Sequence, residues 1–353
     1  MQRIPIVQIG FGGVGRALAQ QILQFNQQFS TRYGLQFTYA GLIDRSGAIA
    51  DASVETVQRA LEMKQAGGVL RDLPEAQPPN DWQTLLTATP CLVVDVTARD
   101  GMETGLAQAV ANGHSVVLAN KKPLCASYGL FQVLTERGRT RYEATVGAGL
   151  PIISTLRMLL DTGDVVQTIE GCLSGTLGFL MTQLEQGVAF ADAVIDARTR
   201  GWTEPDPRDD LNGMDVARKA LILARTCGIK AELAQVATES LYPPALADIP
   251  LDTFVTKLPM LNNEYQERYQ AAVPQGMTLR FLARVTPQEQ RVGLATVELD
   301  SPMGALQGPD NLVVYRTQRY NEQPLRVRGP GAGTTVTASA VLADMLALGR
   351  QQR

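Results

Sequence analysis

The chain has 353 residues, a formal net charge of −3, 45% hydrophobic and 19% charged residues, and one histidine. That length predicts two domains rather than one core, and the lack of basic excess argues against a nucleic-acid partner. No apolar run reaches the ~18 residues of a membrane span, and Cys91, Cys125, Cys172 and Cys227 lack CxxC spacing, as expected of reduced thiols in a cytoplasm.

MQRIPIVQIG carries no charged-then-apolar signal segment and runs directly into a strand-like stretch. The β-branched run from Ile4 to Ile9 meets GFGGVG, and apolar residues at helical spacing follow. Gly10, Gly12 and Gly15 satisfy GxGxxG between strand and helix, the context that dinucleotide binding requires. Without Cβ atoms this turn lets a pyrophosphate sit against N–H groups at the helix start. Phe11, Gly13 and Val14 complete the loop that would line the cofactor.

LQFTYAGLID predicts the next strand and ends at Asp44, where an acid takes the ribose hydroxyls of NAD. Arg45 follows, and its guanidinium suits the 2′-phosphate of NADP; a plain turn at DRSG is the third reading. Residues 51–90 are polar, with helical stretches and the Pro-rich loop LPEAQPPNDW. CLVVDVTA has the continuous apolar character of a parallel strand buried on both faces. GMETGLAQAVANG predicts a helix, and HSVVLANKKP another buried strand, with His114 at its first position. Thr97 and Lys121 fall at the carboxyl ends of these strands, where open parallel sheets bind ligands. With one histidine in the chain, acid–base work falls to lysine or carboxylates.

From Arg141 the pattern changes. RYEATVGAGLPIISTLRMLL predicts strand, glycine-rich turn and a helix begun at Pro151, and DVVQTIEGCLSGTLGFLMTQL repeats that order. FADAVIDARTRG predicts an amphipathic helix closed by Gly201. MTLRFLARV, RVGLATVEL and NLVVYRTQ alternate as strands, which suggests an α+β second domain with helices on one side of its sheet. RVRGPGAGTTVTASAVLADML places a second glycine loop before a final helix. Val336, Ala340, Ala343 and Leu346 form a stripe that predicts packing back on the first domain, bringing Gly331 and Gly333 toward the cofactor.

GWTEPDPRDDLNGMDVARK gathers Glu204, Asp206, Asp209, Asp210 and Asp215 before one lysine, Lys219. With Asn212 as N-cap, Asp215 and Lys219 stand at i and i+4 on one helix face. The helix around them is apolar, so the pair is expected in a cleft, where a lysine needs a counter-charge. An ammonium held there stabilises the charge that builds on a carbonyl oxygen during hydride addition.

GFGGVG, VTARDG, VVLANKKP, YEATVGAGLPII, IEGCLSGTLGF, GWTEPDPRDDLNGMDVARKA and GAGTTVTA, spread from Gly10 to Ala338, together resemble a homoserine dehydrogenase of the short kind, without a C-terminal regulatory domain. The resemblance implies NAD(P)H-dependent reduction of L-aspartate 4-semialdehyde to L-homoserine. It implies a Rossmann-type domain over 1–141, completed by 331–353, and a substrate-binding and dimerisation domain over 142–330, with a homodimer formed through the second domain's sheet. Lys219 is implied as the acid–base lysine and Lys121 as a second active-site lysine. Glu204 and Asp215 would hold the substrate's amino group, with Asp209 at a further active-site position and Thr176 and Gly201 near the substrate. Asp206 and Asp210 receive no role beyond solvated loop acids. The family also implies a sodium ion on Glu143, Val146, Ala148 and Leu150. Trp202 stands where the family commonly has tyrosine. Another dehydrogenase of a small amino or hydroxy acid, or a dinucleotide sensor without turnover, are the rival readings.

Overall fold

The structure, a computed structural model, describes residues 1–79 and 81–351. It divides into one unit of Met1–Gly149 with Ala332–Arg353, and a second of Leu150–Gly331. Among the described residues no helix is long and apolar enough to cross a membrane.

The first unit alternates strand and helix. Its strands are β1 (Gln2–Ile9), β2 (Leu35–Ile43), β3 (Ala48–Ala50), β4 (Leu92–Asp95), β5 (Ser115–Leu118) and β6 (Thr140–Arg141). Its helices include α1 (Gly13–Tyr33), α2 (Val54–Gln65), α3 (Glu103–Ala111) and α4 (Tyr128–Thr135). The sheet order is β3-β2-β1-β4-β5-β6, parallel throughout except for the short β3 on the edge. This is a doubly wound sheet, and its order reverses between β1 and β4, the place where such sheets bind ligands. Ile9 pairs with Asp95 and Asp95 with Leu118, so the central strands end level with one another. Every residue of β4 and β5 is buried, as their continuous apolar sequence requires. His114 precedes β5, is 7% exposed, and accepts the Cys91 N–H at Nδ1; burial holds its pKa down. The strand expected from Arg141 is only the two-residue β6, because the chain turns at once into a 3₁₀ segment, Glu143–Thr145.

The second unit holds helices α5 (Ile152–Asp161), α6 (Gly175–Glu185), α7 (Phe190–Thr199), α8 (Arg208–Leu211), α9 (Met214–Thr226), α10 (Leu251–Lys257) and α11 (Asn262–Ala272). Its strands are β7 (Val166–Cys172), β8 (Ala237–Thr238), β9 (Met277–Val285), β10 (Gln290–Glu298), β11 (Asp310–Thr317) and β12 (Leu325–Pro330). They pair in the order β12-β11-β7-β9-β10-β8, antiparallel except for β8 on β10. Helices α6, α9 and α11 pack on β9. Sequence pattern did not show β12: it is an edge strand of alternating exposure ending in Gly329 and Pro330, residues that read as a turn.

The final helix, α12 (Thr334–Gln351), belongs to the first unit and packs on α1. Its buried residues are Ala338, Ala340, Val341, Leu342, Asp344, Met345, Leu348 and Gly349, whereas Ala343 is exposed and Val336 and Leu346 are half-buried. Of the predicted stripe, Ala340 is buried and half-buried Leu346 packs on the first unit's core, whereas Ala343 faces out. Apolar residues surround most of this helix, so periodicity alone selects no face; contact with α1 does.

Candidate functional site

In the first unit, α1 begins at Gly13 with Gly12 as N-cap, no side-chain capping bond and no acid in its first turn. Its leading N–H groups are therefore left for a ligand. A Cβ on Gly12 would meet nothing within 4 Å, so the space over the helix start is open. Gly10 has φ +105°, and a Cβ there would lie 2.9 Å from Thr97 Cγ2. On Gly15 a Cβ would lie 2.2 Å from the Gly10 carbonyl oxygen. On Gly13 it would lie 2.9 Å from Thr334 Cγ2, which brings the start of α12 beside that of α1. Gly333, with φ +136°, precedes this second helix start. Phe11 is 2% exposed within the core, so only its backbone remains for a ligand; Val14 packs partly on the same core. These residues fit the diphosphate of a dinucleotide.

At the end of β2, Asp44 heads the DRSG turn. Its Oδ1 accepts from the Ser46 N–H (2.7 Å) and hydroxyl (2.6 Å), and its Oδ2 lies 2.5 Å from Lys64 Nζ. Burial opposes its charge, but Lys64 and Ser46 outweigh it and hold the carboxyl below its usual range. Arg45 is exposed beside it, and Arg16 donates to the Lys64 carbonyl at 3.2 Å. The turn and the cationic surroundings are thus both present.

The ends of β4 and β5 are joined through Asp95, a residue the sequence reading passed over. Fully buried, its Oδ1 accepts from Thr97 N–H (2.9 Å) and Oγ1 (2.7 Å), and its Oδ2 from Asn120 Nδ2 (2.9 Å). Burial raises its pKa, with Thr97 and Asn120 acting against the rise. Asn120 also accepts the Lys122 N–H and donates to the Arg99 carbonyl, which fixes the backbone on either side of half-buried Lys121. Lys122 points elsewhere, to Asp100 at 2.6 Å.

In the second unit one acid of the run, Asp215, meets Lys219. Helix α9 is buried on most of its circumference, and the Lys219 side chain is 11% exposed. Its Nζ lies 2.7 Å from Asp215 Oδ2 and donates to the Leu173 carbonyl at 2.6 Å. The N-cap of α9 is Gly213, with φ 72°, rather than Asn212; Asn212 Oδ1 still accepts the Met214 N–H at 2.8 Å. Glycine is needed because a left-handed turn joins α8 to α9 with Phe281 and the Glu239 carbonyl close by.

The carboxylates divide. Asp210 is half-buried and accepts the Glu204 N–H at 2.8 Å; its pKa is pushed up to about 6 by burial and by the charges of Glu204 and Asp215, against a hydrogen bond from Thr176. It therefore stands among these acids and is not a solvated loop acid. Asp206 is not solvated either: Arg208 grips both its oxygens, donating also to the Ala247 and Ile249 carbonyls. Asp209 is exposed, and its charge acts on Arg208 and Tyr242. Thr176 donates to the Trp202 carbonyl at 2.6 Å, while the Trp202 ring meets Phe179 edge-on at 4.9 Å and lies under Arg200. Gly201 has φ 69° and is exposed. Neighbouring acids in a run look alike in sequence; only the turn of α8 separates Asp209 from Asp210.

Glu143 is buried and donates its N–H to Asp344 Oδ2 at 2.7 Å. Val146 is buried, and Ala148 holds φ 55°, a left-handed backbone for a residue with a Cβ. Leu150 opens the second unit. Among the described residues no cluster of three His, Cys, Asp or Glu side chains suits a metal ion.

The sequence pattern of the family described as homoserine dehydrogenase matches residues 151–346, and that of the homoserine dehydrogenase NAD binding domain matches 10–143. Homoserine dehydrogenase of Schizosaccharomyces pombe is 33% identical over 99% of this chain and 96% of its own length. Bifunctional aspartokinase/homoserine dehydrogenase 2 of Zea mays is 37% identical over 96% of this chain but 38% of its own. The chain thus spans about two fifths of the bifunctional relatives it matches, at 38% and 42% of their lengths. The structure of a hyperthermophilic archaeal homoserine dehydrogenase in complex with NADPH matches with a TM-score of 0.78 at 26% identity, covering 99% of this chain and 98% of that one. Matched in both units and aligned nearly end to end with the S. pombe protein, the chain belongs to the homoserine dehydrogenase family.

Proposed function

We propose that this chain interconverts L-homoserine and L-aspartate 4-semialdehyde with a nicotinamide dinucleotide. The observation that carries this is one buried amine, Lys219 Nζ, held 2.7 Å from Asp215, whose charge in turn reaches Asp210, the acceptor of the Glu204 N–H. The substrate is an amino acid whose ammonium suits carboxylates and whose carbonyl oxygen needs a proton. When bound, the cofactor supplies hydride to the carbonyl carbon. Lys219 gives a proton to the oxygen as negative charge builds there, and takes it back in the reverse direction. Glu204, Asp210 and Asp215 hold the ammonium, Thr176 shapes the loop beside it, and Lys121 meets the substrate or cofactor. Asp209 has the family match but the exposed position, so we assign it no proton transfer. Absorbance of reduced nicotinamide, followed while L-homoserine is oxidised, tests the reading; no turnover with either NAD or NADP overturns it.

NADP is the cofactor this surface favours. The Asp44 carboxylate is already occupied by Ser46 and Lys64, which leaves little acceptor capacity for ribose hydroxyls. Arg45, Lys64 and Arg16 supply positive charge for a 2′-phosphate. A monovalent cation such as sodium, held by Glu143, Val146 and Ala148, is supported by the left-handed φ of 55° at Ala148, a strained backbone for a residue with a Cβ. A homodimer through the second unit's sheet is supported by the half-buried apolar side chains Ala295, Val297 and Val314 on β10 and β11, which border the buried cluster of Cys172, Leu282, Met303 and Leu312.

A further inference from the structure

Strand β1 reads IPIVQI, and the glutamine breaks an otherwise apolar run at a position with no exposure to solvent. Burying a primary amide is unfavourable unless its donors and acceptor find partners. Gln8 finds three. Its Nε2 donates to the Gly10 carbonyl at 3.0 Å and to the Gly15 carbonyl at 3.0 Å, and its Oε1 accepts from the Tyr39 hydroxyl at 3.0 Å. The amide's orientation follows from the partners, since two carbonyls accept only from the NH₂ end, leaving the oxygen to the hydroxyl.

These contacts are not general packing. Gly10 and Gly15 are the first and third glycines of GxGxxG, one at the end of β1 and the other in the first turn of α1. The two approach so closely that a Cβ on Gly15 would lie 2.2 Å from the Gly10 oxygen and 3.0 Å from Gln8 Nε2. One side chain thus ties together both limbs of the turn, and Tyr39, 7% exposed on β2, holds that side chain from behind. The far side of the turn, at Gly12, is the open side.

We propose that Gln8, braced by Tyr39, is a positioning residue for the cofactor diphosphate, acting through the Gly10 and Gly15 carbonyls to hold the helix-start N–H groups in binding geometry. This rests on the dinucleotide reading above, although the clamp itself is independent of turnover. An apolar residue at position 8 removes the donor from the buried Gly15 carbonyl and the half-buried Gly10 carbonyl, so the turn loosens. Phenylalanine at position 39 leaves the amide oxygen without its donor, a smaller loss.

The test uses the whole protein and the variants Gln8→Leu and Tyr39→Phe. Titration with NADPH and NADH is expected to show Kd rising about tenfold in Gln8→Leu and about threefold in Tyr39→Phe, as loss of preorganisation implies. At saturating cofactor, kcat and the KM for L-homoserine stay within about twofold, a split that general destabilisation does not produce. In the double variant, Tyr39→Phe adds little to Gln8→Leu, because both act through one amide. Amide hydrogen exchange without cofactor is expected to quicken in peptides covering the glycine loop more than in those covering β4 and β5. A Gln8→Leu loop that exchanges no faster than wild type, or an unchanged cofactor Kd, overturns the proposal. Should Gln8→Leu fail to fold, Tyr39→Phe decides by the same two readouts. Wild-type protein that binds neither dinucleotide overturns the cofactor reading instead, and the exchange experiment still decides whether the clamp exists.

Discussion

Lys219 Nζ donates to the Leu173 carbonyl at 2.6 Å, so the amine is anchored to the main chain just past the end of β7. Its second partner, Asp215, is one helical turn away at 2.7 Å. Two acceptors fix the position of a side chain that otherwise has four rotatable bonds. The ion pair is far from a solvated surface pair, since the lysine is 11% exposed while the aspartate, at 41%, faces outward.

Replacing Lys219 by alanine removes the proposed proton donor and the amine 2.7 Å from Asp215. We expect kcat to fall by about 10²–10⁴-fold, the usual contribution of a positioned acid–base group. Cofactor Kd, measured by titration, should stay near the wild-type value. Normal turnover in Lys219→Ala would falsify the assignment.

Acidification should weaken substrate binding before it impairs chemistry. With its pKa near 6, Asp210 loses its negative charge as pH falls through that value, and the substrate ammonium loses one of three anions. The KM for L-homoserine should therefore rise below about pH 6 in wild type and stay flatter in Asp210→Asn. The same shift has a stability consequence. A carboxyl raised in the folded state favours folding fully below its unfolded pKa of about 4, an advantage lost as pH rises through about 6. Asp210→Asn should thus melt higher than wild type at neutral pH, with the gain vanishing near pH 4. A variant that melts lower at neutral pH contradicts the clustering.

Cofactor choice should turn on Lys64. In Lys64→Ala the Asp44 carboxylate loses its ion pair, becoming both a repellent for a 2′-phosphate and an acceptor for ribose hydroxyls. The ratio of KM for NADPH to KM for NADH should rise at least about tenfold, the scale of one charge-assisted contact. Steady-state kinetics with both cofactors decide it, and an unchanged ratio rejects the NADP reading.

Arg280 is a stability hinge remote from the acid cluster. Its side chain is 2% exposed, pairs with Glu185 at 2.5 Å, and donates to the Met303 and Leu306 carbonyls. Removing one member of such a buried pair costs about 3–5 kcal/mol, so Arg280→Met should unfold at markedly lower urea concentration. A loss under about 1 kcal/mol would mean that water replaces the guanidinium without difficulty.

The half-buried apolar residues on β10 and β11 of the same sheet offer the oligomerisation test. Val314→Asp, placing a charge on the half-buried apolar face, should convert a dimer to monomers in sedimentation velocity while each protomer stays folded. Wild-type protein that sediments as a monomer rejects the dimer.

Sequence alone determined the strand–glycine–helix start, the buried parallel strands β4 and β5, and the helix that carries Asp215 and Lys219, because each is specified by near neighbours. Glycine spacing, continuous apolar runs and an i, i+4 pair are local signals that survive without tertiary context. The buried face of α12, the edge strand β12, and the division of labour between Asp209 and Asp210 were decided only by tertiary structure. In α12 most positions are apolar, so the partner helix selects the face. In the acid run Asp209 and Asp210 are identical neighbours, and the short α8 turns one acid toward Glu204 and Asp215 while leaving the other in water. Gln8 belongs to both kinds of evidence. Its polarity within an apolar strand is visible in the sequence, but the two glycine carbonyls that explain it meet only when α1 folds back over β1.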